Sequence, residues 1–148
     1  MRDREAEGLV RLDLLVQRLL GRPGLGGEDK AYIINQLQIL CYGAGEYERA
    51  IDLCEQVMEL DPTEVAYVFN ASLVYEKMGL LQKSLAMVDR YMASGTDSAS
   101  HLSHAVEMYV ATNNTQKAKV AFEQLRETDN ERAAVLLMDR KVKNVLGL

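Results

Sequence analysis

Along this chain apolar residues recur three and four positions apart, the spacing that lines one face of an α-helix. Leu9, Leu12, Val16, Leu19 and Leu20, with Leu15 beside them, predict one amphipathic helix over 4–21. The run Gly21-Arg22-Pro23-Gly24-Leu25-Gly26-Gly27 cannot continue it, and a flexible linker is expected over 22–30. A helix over 31–43 then carries Ile34, Leu37 and Cys41 inward, turns at Gly43-Ala44-Gly45 and returns over 47–60. Asp61 as N-cap, Pro62 in the first helical position and Glu64 behind it predict the next start. That helix runs through Val68, Ala71 and Tyr75 to Met78-Gly79 and returns over 81–93. Ser94-Gly95 stops it, and Asp97 or Ser98 caps the helix of Leu102, Ala105 and Tyr109. A turn at Asn113-Asn114-Thr115 leads back through Ala118, Phe122 and Leu125. After Asp129-Asn130, the residues Val135, Leu136, Met138, Val142, Val145 and Leu146 predict a single closing helix over 131–147, with Arg132, Asp139, Arg140, Lys141 and Lys143 outside.

These helices repeat. Ala50, Ser84 and Ala118 stand 34 residues apart, as do Ile34, Val68 and Leu102; Cys54, Val88 and Phe122; Val57, Tyr91 and Leu125; and Gly45, Gly79 and Asn113. Gly, and after it Asn, tolerates the left-handed backbone that ends a helix, so each member of the last series is expected to close one helix before the chain doubles back. A period of this length signals stacked helical hairpins.

The repeats over 31–130, about two thirds of the chain, resemble the tetratricopeptide repeat. Counted from Ala31, Val65 and Ala99, the family's aromatic place holds Cys41, Tyr75 and Tyr109, its alanine place Ala50, Ser84 and Ala118, and its closing proline is Pro62. Gln38 and Val106 depart from the small residue the family prefers, and positions 96 and 130 are Thr and Asn. The resemblance implies an all-α fold, an α-solenoid of antiparallel helix hairpins forming a single domain over 1–148, with the first helix of each pair lining a concave groove. Carried over place by place, the groove is Tyr32, Asn35, Gln36 and Ile39, then Ala66, Phe69, Asn70 and Leu73, then Ser100, Ser103, His104 and Glu107, with Tyr42 and Lys77 near its edge. Tyr32, Ile39, Phe69 and Leu73 are apolar anchors beyond what the hairpin core needs, a lining suited to an extended segment or an amphipathic helix. Relatives that grip acidic chaperone tails use two lysines, an arginine and two asparagines; here those places hold Asn35, Ile39, Asn70, Ser100 and His104, and only Asn70 matches. The helices over 4–21 and 131–147 are expected to cap the stack, and the first has a second reading as a plug for the groove.

Composition narrows the function. Of 148 residues 48 % are hydrophobic and 26 % charged, a globular balance, and 17 basic against 22 acidic residues leave a net charge of -5, so nucleic acid is not an expected partner. Cys41 and Cys54 read as small buried hydrophobes of a reducing compartment. The charged N-terminus and the lack of a spanning apolar run point to the cytoplasm, and the acidic residues within the last helix argue against a membrane-surface role. His101 and His104 lack partners at metal-ligand or triad spacing, the glycines of 21–27 lack the strand and Lys-Ser pair of a phosphate loop, and the sequons at Asn70 and Asn113 read as chance. No catalysis, cofactor, metal or small-molecule substrate is expected. The leading expectation is an adaptor for another protein; a cytoplasmic secretion chaperone holding an apolar client segment, and a subunit that associates with itself, remain open beside it.

Overall fold

The computed structural model describes residues 2–148, of Arg2 only the main chain; Met1, counted in the expected domain over 1–148, lies outside the described residues. Among these residues there are nine helices and no strand, grouped in two compact units, Met1–Leu80 and Leu81–Leu148. The first unit holds α1 (Arg2–Leu20), α2 (Gly27–Gly43), α3 (Tyr47–Leu60) and α4 (Val65–Lys77); the second holds α5 (Leu81–Ala93), α6 (Ala99–Ala111), α7 (Thr115–Thr128), α8 (Asn130–Leu136) and α9 (Arg140–Leu146).

Every position that recurs at the 34-residue spacing in the interior is buried. Ala50, Ser84 and Ala118 have no exposed surface, and the series of Ile34, Cys54 and Val57 and their counterparts are likewise in the core. Only the methyl groups of Ala50 and Ala118 stand where α3 crosses α2 and where α7 crosses α6, so helix backbones approach closely there. Gly45, Gly79 and Asn113 have φ of 78°, 74° and 57°, the left-handed conformation expected of them. Each sets up the same closure: the following amide, of Glu46, Leu80 or Asn114, donates back to the carbonyl of Cys41, Tyr75 or Tyr109 at 2.9, 2.9 and 2.8 Å.

Three boundaries differ from expectation. The segment expected as a linker over 22–30 is shorter, because α2 already begins at Gly27; a Cβ there would meet the Leu60 carbonyl oxygen at 3.0 Å, so glycine allows the close approach to α3. Asp61 does not cap α4. It ends α3, donating its amide to Val57, and its carboxylate accepts the Thr63 hydroxyl at 3.0 Å, which holds Pro62 and Thr63 in a turn. The N-cap is Glu64, whose side chain accepts the Ala66 amide at 3.1 Å. At the other end the single helix expected over 131–147 is two: Asp139 accepts the amides of Lys141 at 2.8 Å and Val142 at 3.4 Å and starts α9 afresh. The break changes the facing of the apolar residues. Leu136, Val142 and Leu146 are buried, whereas Val135 and Met138, read as part of the inner stripe, are exposed.

In the first unit α1 packs on α2 through Leu9 and Val16, and Asp13 pairs with Arg49 of α3 at 2.7 Å. It stands on the first hairpin and leaves Tyr32 and Ile39 of α2 uncovered. Ala118→Leu should overpack the α6–α7 crossing and cost about 1–3 kcal/mol in denaturant titration; unchanged stability would mean that the helices do not cross at this residue.

Candidate functional site

The α2 positions assigned to a groove form one exposed stripe: Tyr32, Gln36 and Ile39 follow at helical spacing, and Tyr32 is 62 % and Ile39 48 % exposed. On α4, Ala66, Phe69, Asn70 and Leu73 are half-buried and Lys77 is exposed. The two helices are joined across the stripe by the Asn70 side-chain amide, which donates to Asn35 Oδ1 at 3.1 Å. Asn35 is therefore a buried floor residue, and Asn70 is its partner as well as a surface group. Tyr42 packs its ring at 5.8 Å from that of Tyr47 and stands beside the turn.

In the second unit the four candidates of α6 separate. Glu107 and Ser100 are exposed and Ser103 is half-buried; the Ser100 hydroxyl accepts from the Arg132 guanidinium of α8 at 2.9 Å. His104 does not line an open surface. It is buried, with Nδ1 at 3.0 Å from the hydroxyl of Tyr91, itself enclosed between α5 and α6, and that hydroxyl donates to the His101 carbonyl at 3.1 Å. His101 Nδ1 meets the Thr96 hydroxyl at 2.8 Å. Both histidines are thus packing residues of α6. Among the described residues no group of three or more His, Cys, Asp or Glu side chains could hold a metal ion.

A concavity of about 480 Å³ lies in the second unit over Asp89, Met92, Tyr109, Lys117 and Val120. Its charges are already matched: Asp89 accepts the Tyr109 hydroxyl at 2.6 Å and Lys117 Nζ at 3.1 Å to each oxygen, and the ammonium lies 5.7 Å from the centre of the Tyr109 ring. The first unit has the counterpart, Tyr75 donating to Glu55 at 3.3 Å. Glu55 and Asp89 are 34 residues apart, as Tyr75 and Tyr109 are, so the same strut between the second helix of one repeat and the first of the next is written twice. Sequence reasoning placed the tyrosines and missed the carboxylates, although the period itself could have found them. Burial, then the carboxylate, pushes the Tyr109 phenol well above its ordinary range, and the Tyr75 phenol is raised in the same way by burial and Glu55. Cys41 and Cys54 are free and buried; burial raises both thiols, Cys54 to about 12, so neither has thiolate character at neutral pH.

No protein-family model and no curated protein sequence matches the chain. Solved structures do. The first tetratricopeptide domain of Spaghetti (RPAP3), bound to the HSP90 peptide SRMEEVD, aligns at a TM-score of 0.72 and 20 % identity over 82 % of this chain and 96 % of that one. A tetratricopeptide repeat protein from Parabacteroides merdae aligns at 0.78 and 14 % identity over 97 % of this chain and 54 % of its own. The Yersinia enterocolitica type III secretion chaperone SycD, in complex with a peptide of the translocator YopD, aligns at 0.64 and 15 % identity over 80 % and 91 %. The chain has the tetratricopeptide-repeat fold: an all-helical chain of that architecture, with no strand among the described residues.

The raised phenol gives a pH test. A group that the fold keeps protonated contributes its stability below the unfolded value, here 10.0, and loses it as pH rises toward the higher folded value. Stability measured by denaturant titration should therefore fall above pH 10, and Tyr109→Phe should flatten part of that fall. An identical profile in the variant would mean that the folded chain does not raise the Tyr109 phenol.

Proposed function

We propose that the chain is a non-enzymatic adaptor that holds an apolar segment of a partner protein, extended or helical, against the stripe formed by α2 and α4. One observation carries this reading. Tyr32 and Ile39 are large, apolar and exposed beside half-buried Phe69 and Leu73, although nothing in the α2–α3 core requires them on that side. Gln36, Asn70 and Lys77 around them supply polar groups for orienting a main chain. The repeats are read as three over 31–130, with Ser103 and Glu107 of α6 as further candidates for partner contact.

A secretion-type chaperone is the more specific form of the same reading. It is supported by the likeness to SycD with its YopD peptide and to PcrH with the chaperone binding region of PopB, the latter at a TM-score of 0.64 and 19 % identity. An acidic chaperone tail of the SRMEEVD type is disfavoured. Asn35 is buried against Asn70, Ile39 is apolar and His104 is enclosed by Tyr91, so the places that would offer cations to carboxylates do not. Free, buried cysteines fit a reducing compartment, and the reading places the protein in the cytoplasm. No helix among the described residues is long and apolar enough to cross a membrane.

The test is selection of binders from a random displayed-peptide library, followed by affinity measurement against variants. Peptides with apolar anchors should be recovered, and Ile39→Ala and Phe69→Ala should each weaken them about tenfold, worth about 1.4 kcal/mol, while Tyr32→Ala and Ile39→Ala leave the melting temperature nearly unchanged. SRMEEVD itself should not bind measurably. Recovered peptides indifferent to all three substitutions would overturn the assignment of the stripe.

A further inference from the structure

The short helix α8 carries the period of the chain one step further. Ala133 and Leu136 stand 34 residues after Ala99 and Leu102 and are buried as they are, so α8 takes the place of a further first helix. Its other side is apolar where water should make it polar. Val135 is 63 % and Met138 84 % exposed, and the Met138 amide donates to the Val135 carbonyl at 3.1 Å, which sets the two side chains one turn apart on the same side.

The charges around this pair identify what it meets. Arg132 lies one turn before Val135 on α8, and Arg140 and Lys141 follow Met138 across Asp139, all of them exposed. The Arg132 guanidinium donates to the neutral Ser100 hydroxyl at 2.9 Å, a contact that holds it in place without cancelling its charge. Among the described residues none of Arg132, Arg140, Lys141 and Lys143 is ion-paired. The two nearby carboxylates have local duties: Asp139 receives the amides of Lys141 and Val142, and Glu131 sits in the first turn of α8, where the helix dipole favours it. The cations have none. Arg140 and Lys141 occupy the first turn of α9, where the dipole disfavours positive charge, and Arg140 repels Lys143 three residues on. The charged residues of 130–148 thus leave a surplus of two cations on a chain whose net charge is -5. Cations that burden their own helix, beside exposed apolar side chains, are complementary to a group that is both anionic and apolar.

We infer that the corner between α8 and α9 docks an acidic segment of a partner protein, which lays an apolar side chain on Val135 and Met138 and its carboxylates on Arg132, Arg140 and Lys141. Methionine suits the contact, because its unbranched thioether adapts to the side chain it meets. An anionic membrane fits less well: Leu136, Val142 and Leu146 are turned into the core, and two helices of seven residues keep too little apolar face to enter lipid. The surface lies wholly in the second unit, and the inference does not rest on the adaptor reading of the α2–α4 stripe.

Fluorescence anisotropy of the full chain with a labelled synthetic peptide of Glu-Glu-Leu repeats tests it, beside a peptide of equal length in Glu-Glu-Ser repeats. The first should bind, more weakly as salt is raised, and the second at least about tenfold less tightly. Met138→Ala should weaken the Glu-Glu-Leu peptide about tenfold, and so should Arg140→Glu combined with Lys141→Glu; both charge changes fall where the dipole favours a carboxylate, so helicity and melting should hold. Ile39→Ala should leave this binding unchanged. No binding of the Glu-Glu-Leu peptide, binding indifferent to Met138→Ala or to the double charge reversal, binding weakened by Ile39→Ala instead, or Met138-dependent cosedimentation of the chain with vesicles of phosphatidylserine and phosphatidylcholine would each overturn it.

Discussion

The structure depends on short-range crossing of paired helices, and that crossing depends on side chains of one or two heavy atoms. Ala50 of α3 and Ala118 of α7 are wholly enclosed, with Cys41, Cys54, Ala71 and Ala105 around them equally so. Larger residues at these points would push the backbones apart and open voids that cost more than the added surface returns. The turn chemistry serves the same contact. Only a residue at ease with positive φ can reverse the chain within the few positions between α2 and α3, or between α6 and α7, and keep the helices in register.

Once the crossings hold the hairpins, the helix faces divide their work. Leu37, Val74, Leu102 and their neighbours take the interior, and the tyrosine hydroxyls on Glu55 and Asp89 brace successive repeats with charge-assisted hydrogen bonds at the edge of that interior. The α2 stripe of Tyr32, Gln36 and Ile39 is left with no structural duty within its unit. Function of a binding kind is open to such a surface because it can vary without disturbing the crossings beneath it.

Much of this was legible as spacing. The 34-residue period located the enclosed residues and the three left-handed turns before any coordinate was needed, because steric demands recur wherever the geometry does. Local chemistry was harder to read. Asp61-Pro62 has the composition of a helix start, but the same carboxylate that could cap α4 instead receives Thr63 and ends α3. Leu137-Met138-Asp139 continues an apolar period, yet Asp139 satisfies two amides of a new helix, and the break turns Val135 and Met138 outward. For the candidate site the period identified faces and not depths: Asn35 and His104 share the register of Ile39 and Ser103 but sink under side chains from α4 and α5.

The central claim is that the face of α2 turned away from the core meets the partner. Site-specific photocrosslinking tests it directly, with a photoreactive phenylalanine placed in turn at Ile39 and at Glu59, an exposed position on α3. The account predicts a discrete adduct in native extract from position 39 and none from position 59. An adduct from position 59 with none from position 39 would contradict it.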